Sequence, residues 1–311
     1  MSSSKKKTTL QRISTILKFV VTFSGLAYLF NKIPISNVLE NWQKETCPWM
    51  AFILLLTTIL MAIQANRWRG LLLNDGKKIK FRTFYSYIAL GYFFNNLLPS
   101  GFGGDAVKTI AFGKRFGNTA NSVAAIIISR VMGLLAMFLS FFIAIPFVIS
   151  KYNIPLPYTI TVSIVTLLAV LIIFAGLFSD KIKIPYKLSQ KIPFLLKLQQ
   201  AFAIYRKHPK AFWKSGIDSI ILQVVTIIIH YAYFKAVGIN IDLATITVFT
   251  TIMVTFTMLP ISINGIGIRE NIQVSLYSGL LGIEADIVLA STLLGHIPLL
   301  FQAYKREIVL L

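Results

Sequence analysis

Asn95-Asn96-Leu97-Leu98-Pro99-Ser100-Gly101-Phe102-Gly103-Gly104-Asp105-Ala106-Val107-Lys108 is the stretch whose reading decides the fold. It closes an apolar run, residues 83 to 98, that is short for a bilayer crossing, then brings a proline, three glycines, a carboxylate and an ammonium in quick succession. The pattern predicts a broken helix. Backbone of this kind facing lipid would leave N–H and C=O groups unpaired at several kcal/mol each, so it is tolerated only against protein or a wet cavity. Leu259-Pro260-Ile261-Ser262-Ile263-Asn264-Gly265-Ile266-Gly267-Ile268-Arg269-Glu270 repeats the construction: apolar run, Leu-Pro, a Gly-x-Gly turn, then charge. One such stretch in each half of the chain points to a transport or binding site at the interface of two repeats.

Composition supports a membrane setting. Of 311 residues 56% are hydrophobic and only 14% charged, with a mean hydropathy of +0.72, outside the profile of a water-soluble domain. The fold class is therefore all-α, a polytopic membrane protein. A net charge of +20 could suit nucleic acid, but the basic residues lie in connectors between apolar runs, as positive-inside topology and attraction to anionic lipid require. Nucleic acid is set aside as a partner. Cys47 is the only cysteine, and His208, His230 and His296 show no ligand spacing, so neither a metal site nor a disulfide is expected. No nucleotide loop or nucleophile–base pair is visible, and no cofactor is implied.

Residues 13–30, 48–66, 120–149, 157–178, 215–235 and 286–304 each approach the ~20 residues that cross ~30 Å of hydrocarbon. The basic runs at 67–82 and 180–214, with the basic N-terminus, place those segments and both termini in the cytoplasm. Residues 83–98 must then dip in from that side and return, or Lys108, Lys114 and Arg115 would lie outside. Residues 243–260 enter from the opposite face. About six full spans plus two re-entrant broken helices in an inverted repeat are expected, as a single integral domain over 1–311 with 180–214 as the basic connector between halves. Within that connector Phe194 to Tyr205 reads as an amphipathic surface helix or a solvated loop, and Arg67-Trp68-Arg69 reads as an anchor at the inner interface.

Seven residues are candidates for a substrate site. Asp105 and Lys108 share a helix face if a helix resumes after Gly104; Asp105 is either a simple N-terminal cap or part of a headgroup site. Arg130 costs at least ~2.5 kcal/mol within an apolar run and suits phosphate, with snorkelling as the competing account. Arg269 and Glu270 are adjacent on a helix and so address different partners: phosphate at the outer leaflet for the first, a cationic group or a buried arginine for the second, with outer-boundary charges in water as the competing account. Asn96 and Asn264, together with Asn95, lie beside the breaks and either satisfy freed backbone groups or line a polar path. His230 and His296 are open between proton relay and ordinary satisfied histidines.

These residues carry a family resemblance. Ala65-Asn66-Arg67-Trp68-Arg69, Asn96 to Pro99 with Gly103-Gly104-Asp105, Ser129-Arg130 with Gly133-Leu134, and Leu259-Pro260-Ile261-Ser262 with Gly265-Ile266-Gly267-Ile268-Arg269-Glu270 resemble the flippase-like family related to the transmembrane region of lysylphosphatidylglycerol synthases. Lys108 departs from it, since the family more often shows arginine there. The resemblance implies movement of an anionic or aminoacylated phospholipid, or a polyprenyl-phosphate-linked glycan, between leaflets of a bacterial cell (inner) membrane. Full synthases of this kind also carry a soluble aminoacyltransferase domain, for which the chain ending at Leu311 leaves no room, so aminoacyl transfer by this polypeptide alone is not expected. Two other readings stay open: a membrane-embedded phosphatidylglycerol lysyltransferase or glycosyltransferase, and a non-transporting subunit that docks a separate synthase. A homo-oligomer is compatible with each.

Overall fold

Helix length sorts the elements before packing does, because each residue adds 1.5 Å of rise and hydrocarbon is roughly 30 Å thick. The computed structural model describes residues 2–97, 103–117, 119–178, 199, 202–258 and 262–298. In chain order it contains α1 (Ser2–Lys32), α2 (Ile35–Glu40), α3 (Thr46–Leu71), α4 (Leu73–Lys78), α5 (Phe81–Leu97), α6 (Gly103–Phe116), α7 (Thr119–Ile149), α8 (Leu156–Leu177), α9 (Pro209–Ala236), α10 (Leu243–Thr257), α11 (Ile268–Gln273) and α12 (Ala285–Leu294). The end of α11 continues through a π-helical turn, Val274–Ser278, into Gly279–Leu281. Among the described residues all regular structure is helical.

Among the described residues three helices, α3, α7 and α9, are both long and apolar enough to cross a membrane. With 31 and 22 residues, α1 and α8 also exceed the crossing length. The outward faces carry large apolar side chains: Phe23, Ile143, Phe147 and Phe174 are all more than 60% exposed. A belt of that kind suits lipid, not water. Inside, α3 packs along α9 through Ile53, Leu60, Leu222 and Ile229, and α7 packs on α8, α9 and α10 through Phe138, Phe141, Phe234, Phe249 and Ile252.

Between the long helices lie two helical hairpins. The first is α5 against α6, 17 and 14 residues, which at ~1.5 Å each fall short of the bilayer. Its arms touch where neither has a side chain: a Cβ on Gly104 would stand 1.9 Å from the Gly91 carbonyl oxygen. The second is α10, 15 residues, turning through 262–267 into α11. Its turn uses left-handed backbone at Asn264, Gly265 and Gly267, with φ of 49°, 77° and 84°, a conformation that glycine adopts without steric cost. The tip is tied to α1: Thr22 Oγ1 accepts from Ile263 N at 2.9 Å, and Asn271 Nδ2 donates to Gly25 O at 3.0 Å. Each returning arm ends on a left-handed glycine, Gly117 and Gly282.

Several boundaries differ from the sequence-based expectation. The first span starts well before residue 13, and the fifth starts at Pro209, whose missing N–H suits a first helical turn. The last is interrupted, since α12 stops at Leu294 with a turn at Gly295 and His296; its continuation to 304 lies outside the described residues after 298. Most of 180–214 also lies outside them. Residues 202–207 are helical, and Tyr205 is buried with its hydroxyl donating to Leu71 O at 2.8 Å, so this end of the connector packs on α3 instead of floating as a loop. Burial pushes the Tyr205 phenol pKa up, which keeps it a donor.

Candidate functional site

The first hairpin positions its carboxylate through its own turn. Asn95 Oδ1 accepts from Gly104 N at 2.8 Å, so asparagine, not Asp105, satisfies the freed amide. Asp105 is thereby available for side chains, and both its oxygens are used: Oδ1 lies 2.5 Å from Lys108 Nζ, and Oδ2 accepts from Arg130 Nε on α7. Lys108 is one turn further along the same face, with its side chain 9% and that of Asp105 12% exposed, and its ammonium also lies over the Trp68 ring. Arg130 therefore has a buried partner instead of snorkelling alone. Removing one member of such a cluster costs about 3–5 kcal/mol, because the other charge remains buried.

The second hairpin has a matching pair. Glu270 is the third residue of α11 as Asp105 is the third of α6. Its Oε2 accepts from Gly267 N at 2.7 Å, and its Oε1 lies 2.9 Å from His296 Nε2. The partner follows the carboxylate by 25 residues in the first pair and 26 in the second. One partner is a guanidinium and the other an imidazole.

Both hairpins face one cavity of about 520 Å³, within the size range of ligand sites. Its wall includes Arg67 and Trp68 of α3, Tyr92 and Asn95 of α5, Asp105 and Lys108 of α6, Arg130 of α7, Gln223 and His230 of α9, and Arg269 of α11. Among the described residues four cations and one carboxylate meet there. Arg67 is only 9% exposed; its Nη1 donates to Ser219 Oγ at 2.7 Å, while its Nε is buried without a hydrogen-bond partner among the described residues. The nearby carboxylate of Asp218 is held at 2.8 Å by Lys214. Arg269 Nε is likewise buried and unpartnered.

Of the seven candidate residues, Asp105, Lys108, Arg130 and Arg269 share the cavity wall. Glu270 is not part of that wall: it is fully buried, with its carboxylate on the Gly267 amide and beside His296. Asn264 sits in the hairpin turn with a left-handed φ and is not among the residues of the cavity wall. The side chain of Asn96 lies outside the described residues. Arg67 and Trp68 are corrected from interfacial anchors to buried groups. Trp68 is 1% exposed against Phe84 and Phe112, and its neighbour Arg67 turns into the cavity. An arginine in the last turns of a long apolar helix fits both descriptions, and only the packing of α9 and α5 against α3 separates them. His230 Nδ1 lies 2.9 Å from Thr226 O, the ordinary satisfied arrangement, whereas His296 has a carboxylate. Among the described residues no group of three or more metal-ligating side chains converges.

All of the cavity residues fall inside one family match. The family model described as the lysylphosphatidylglycerol synthase TM region covers residues 15–302. The chain belongs to that family. Membership in the lysylphosphatidylglycerol synthase TM region family makes this a membrane protein related to lipid modification or translocation. Among curated proteins none matches the chain significantly.

Proposed function

We propose that the protein moves a phospholipid or lipid-linked substrate with an anionic phosphate headgroup between the leaflets of a bacterial inner membrane, with both termini cytoplasmic. The observation that carries this reading is the shared cavity, where, among the described residues, cations from both hairpins outnumber the one carboxylate. Cations kept in a membrane interior need a partner, and the missing one is anionic. Arginine forks match phosphate oxygens in pairs, and Lys108 adds a point charge. On this reading each hairpin enters and leaves on the same face, the first from the cytoplasm and the second from outside. Rocking of one half against the other about the cavity then opens it to each leaflet in turn. Acyl chains lie against the apolar outer faces while the headgroup passes through the polar interior.

The test is leaflet exchange of fluorescent anionic phospholipid in proteoliposomes. Arg130→Ala abolishes exchange while the protein still inserts and purifies. Exchange by that variant at the wild-type rate would remove the assignment.

A further inference from the structure

Resting on the translocation reading, we propose that the headgroup accepted by this cavity is a phosphate monoester or diphosphate carrying at least two negative charges, with Arg67 among its anchors. A singly charged phosphodiester or a cationic aminoacylated headgroup fits less well.

The charges around the cavity set this requirement. Arg67, Lys108, Arg130 and Arg269 line it, and Asp105 is the one lining carboxylate among the described residues. Asp105 has both oxygens engaged by Lys108 and Arg130. Asp218 is shared with Lys214, and Glu270 is spent on Gly267 N and His296 without reaching the wall. Even if Glu270 is credited in full against the four cations, two positive charges are left over among the described residues. A phosphodiester brings one negative charge and leaves a guanidinium uncompensated in a low-dielectric site, which is costly. An aminoacyl group adds an ammonium and worsens the balance. A dianion closes it.

Donor count agrees with charge count. The Nε groups of Arg67 and Arg269 are both buried and lack partners among the described residues, and they come from α3 and α11, on different halves of the chain. A monoester has three terminal oxygens to offer where a diester has two, so it can satisfy these forks in addition to Lys108. Buried donors left open penalise a ligand that cannot fill them, which turns the difference into selectivity.

The experiment is calorimetric titration of the full chain in neutral maltoside detergent with a matched pair, dodecyl phosphate and dodecyl methyl phosphate. At pH 8 the monoester binds at least tenfold more tightly. At pH 5 it carries a single charge, because its second pKa is about 6, and the advantage collapses; the diester keeps its charge and reports any titration of the protein itself. Arg67→Gln and Arg269→Gln each reduce the advantage at pH 8, while the pH comparison on the wild-type protein needs no variant. Equal or tighter binding of the diester at pH 8 overturns the dianion assignment and leaves the anionic-lipid reading standing. Binding of neither compound takes the translocation reading down with it. Displacement of dodecyl phosphate by equimolar inorganic phosphate overturns the lipid as source, since the chain would then contribute nothing.

Discussion

Gly104→Ala is the smallest change that should separate the two arms of the first hairpin. Its Cβ would fall 1.9 Å from Gly91 O and 2.8 Å from Asn95 Oδ1, whereas ordinary contact begins at 3.4 Å. The nearest obstacle is backbone, so the arms must move apart by about 1.5 Å, an overpacking cost of about 1–3 kcal/mol. That shift stretches the 2.8 Å bond from Gly104 N to Asn95 and gives up about 1 kcal/mol more. Helix propensity returns at most about 1 kcal/mol, leaving a net loss of about 1–3 kcal/mol. Because Asp105 is the next residue, its grip on Arg130 moves as well, and lipid exchange should fall along with stability. Gly91→Ala is the informative contrast: its Cβ meets Lys108 Cδ at 2.8 Å, and a flexible side chain can swing away. Stability should stay near wild type while the Lys108–Asp105 contact, and with it exchange, suffers. Gly70→Ala, with nothing within 4 Å, is the control. The assay is the apparent unfolding midpoint of detergent-purified protein beside exchange in proteoliposomes. If Gly104→Ala matches Gly70→Ala in both, the hairpin does not close as described.

Glu270→Ala strips partners from the Gly267 amide and from His296, and should cost about 3–5 kcal/mol; Glu270→Gln still accepts from the amide and recovers part of it, as unfolding midpoints would record. Asp242 caps α10 through Thr245 N at 2.9 Å, and its carboxyl pKa stays below the usual range: burial opposes ionisation, but the Thr245 bonds and Lys151 outweigh it. A depressed carboxyl contributes stability that is complete above the unfolded pKa of about 3.9 and is lost as pH falls through the folded value. Asp242→Asn, still a good cap, should therefore be less stable than wild type at pH 6, with the gap closing below about pH 4 in a pH series of midpoints. Cys47 is exposed and the sole cysteine, so a membrane-impermeant maleimide should label it in intact cells; labelling only after permeabilisation would invert the topology.

The two broken segments were legible because their residues violate what lipid-facing helices allow. Pro99 with three glycines, and the Gly265-Ile266-Gly267 turn, cannot continue a helix, and Asp105, Lys108, Arg130 and Arg269 are too costly in hydrocarbon to lack a purpose. Arg67 was misread for an equally physical reason: a basic residue beside tryptophan near a span end satisfies the rule for an interfacial anchor. Glu270 is ambiguous by sequence, because a carboxylate at the third position of a helix is both a cap and a ligand. His296 had no visible partner, since Glu270 lies 26 residues away, beyond any helical periodicity.

Sequence by itself determined the membrane setting, the helical class and the positions of the two interruptions, since these follow from hydropathy and from backbone groups that each residue carries wherever it sits. Tertiary structure alone decided which charges meet. Arg67 turns inward because α9 supplies Ser219, Asp105 reaches Arg130 because Gly91 and Gly104 let the arms touch, and Glu270 withdraws because His296 returns from α12 to hold it. Charge compensation depends on distance through space in a low dielectric, and distance along the chain does not encode it.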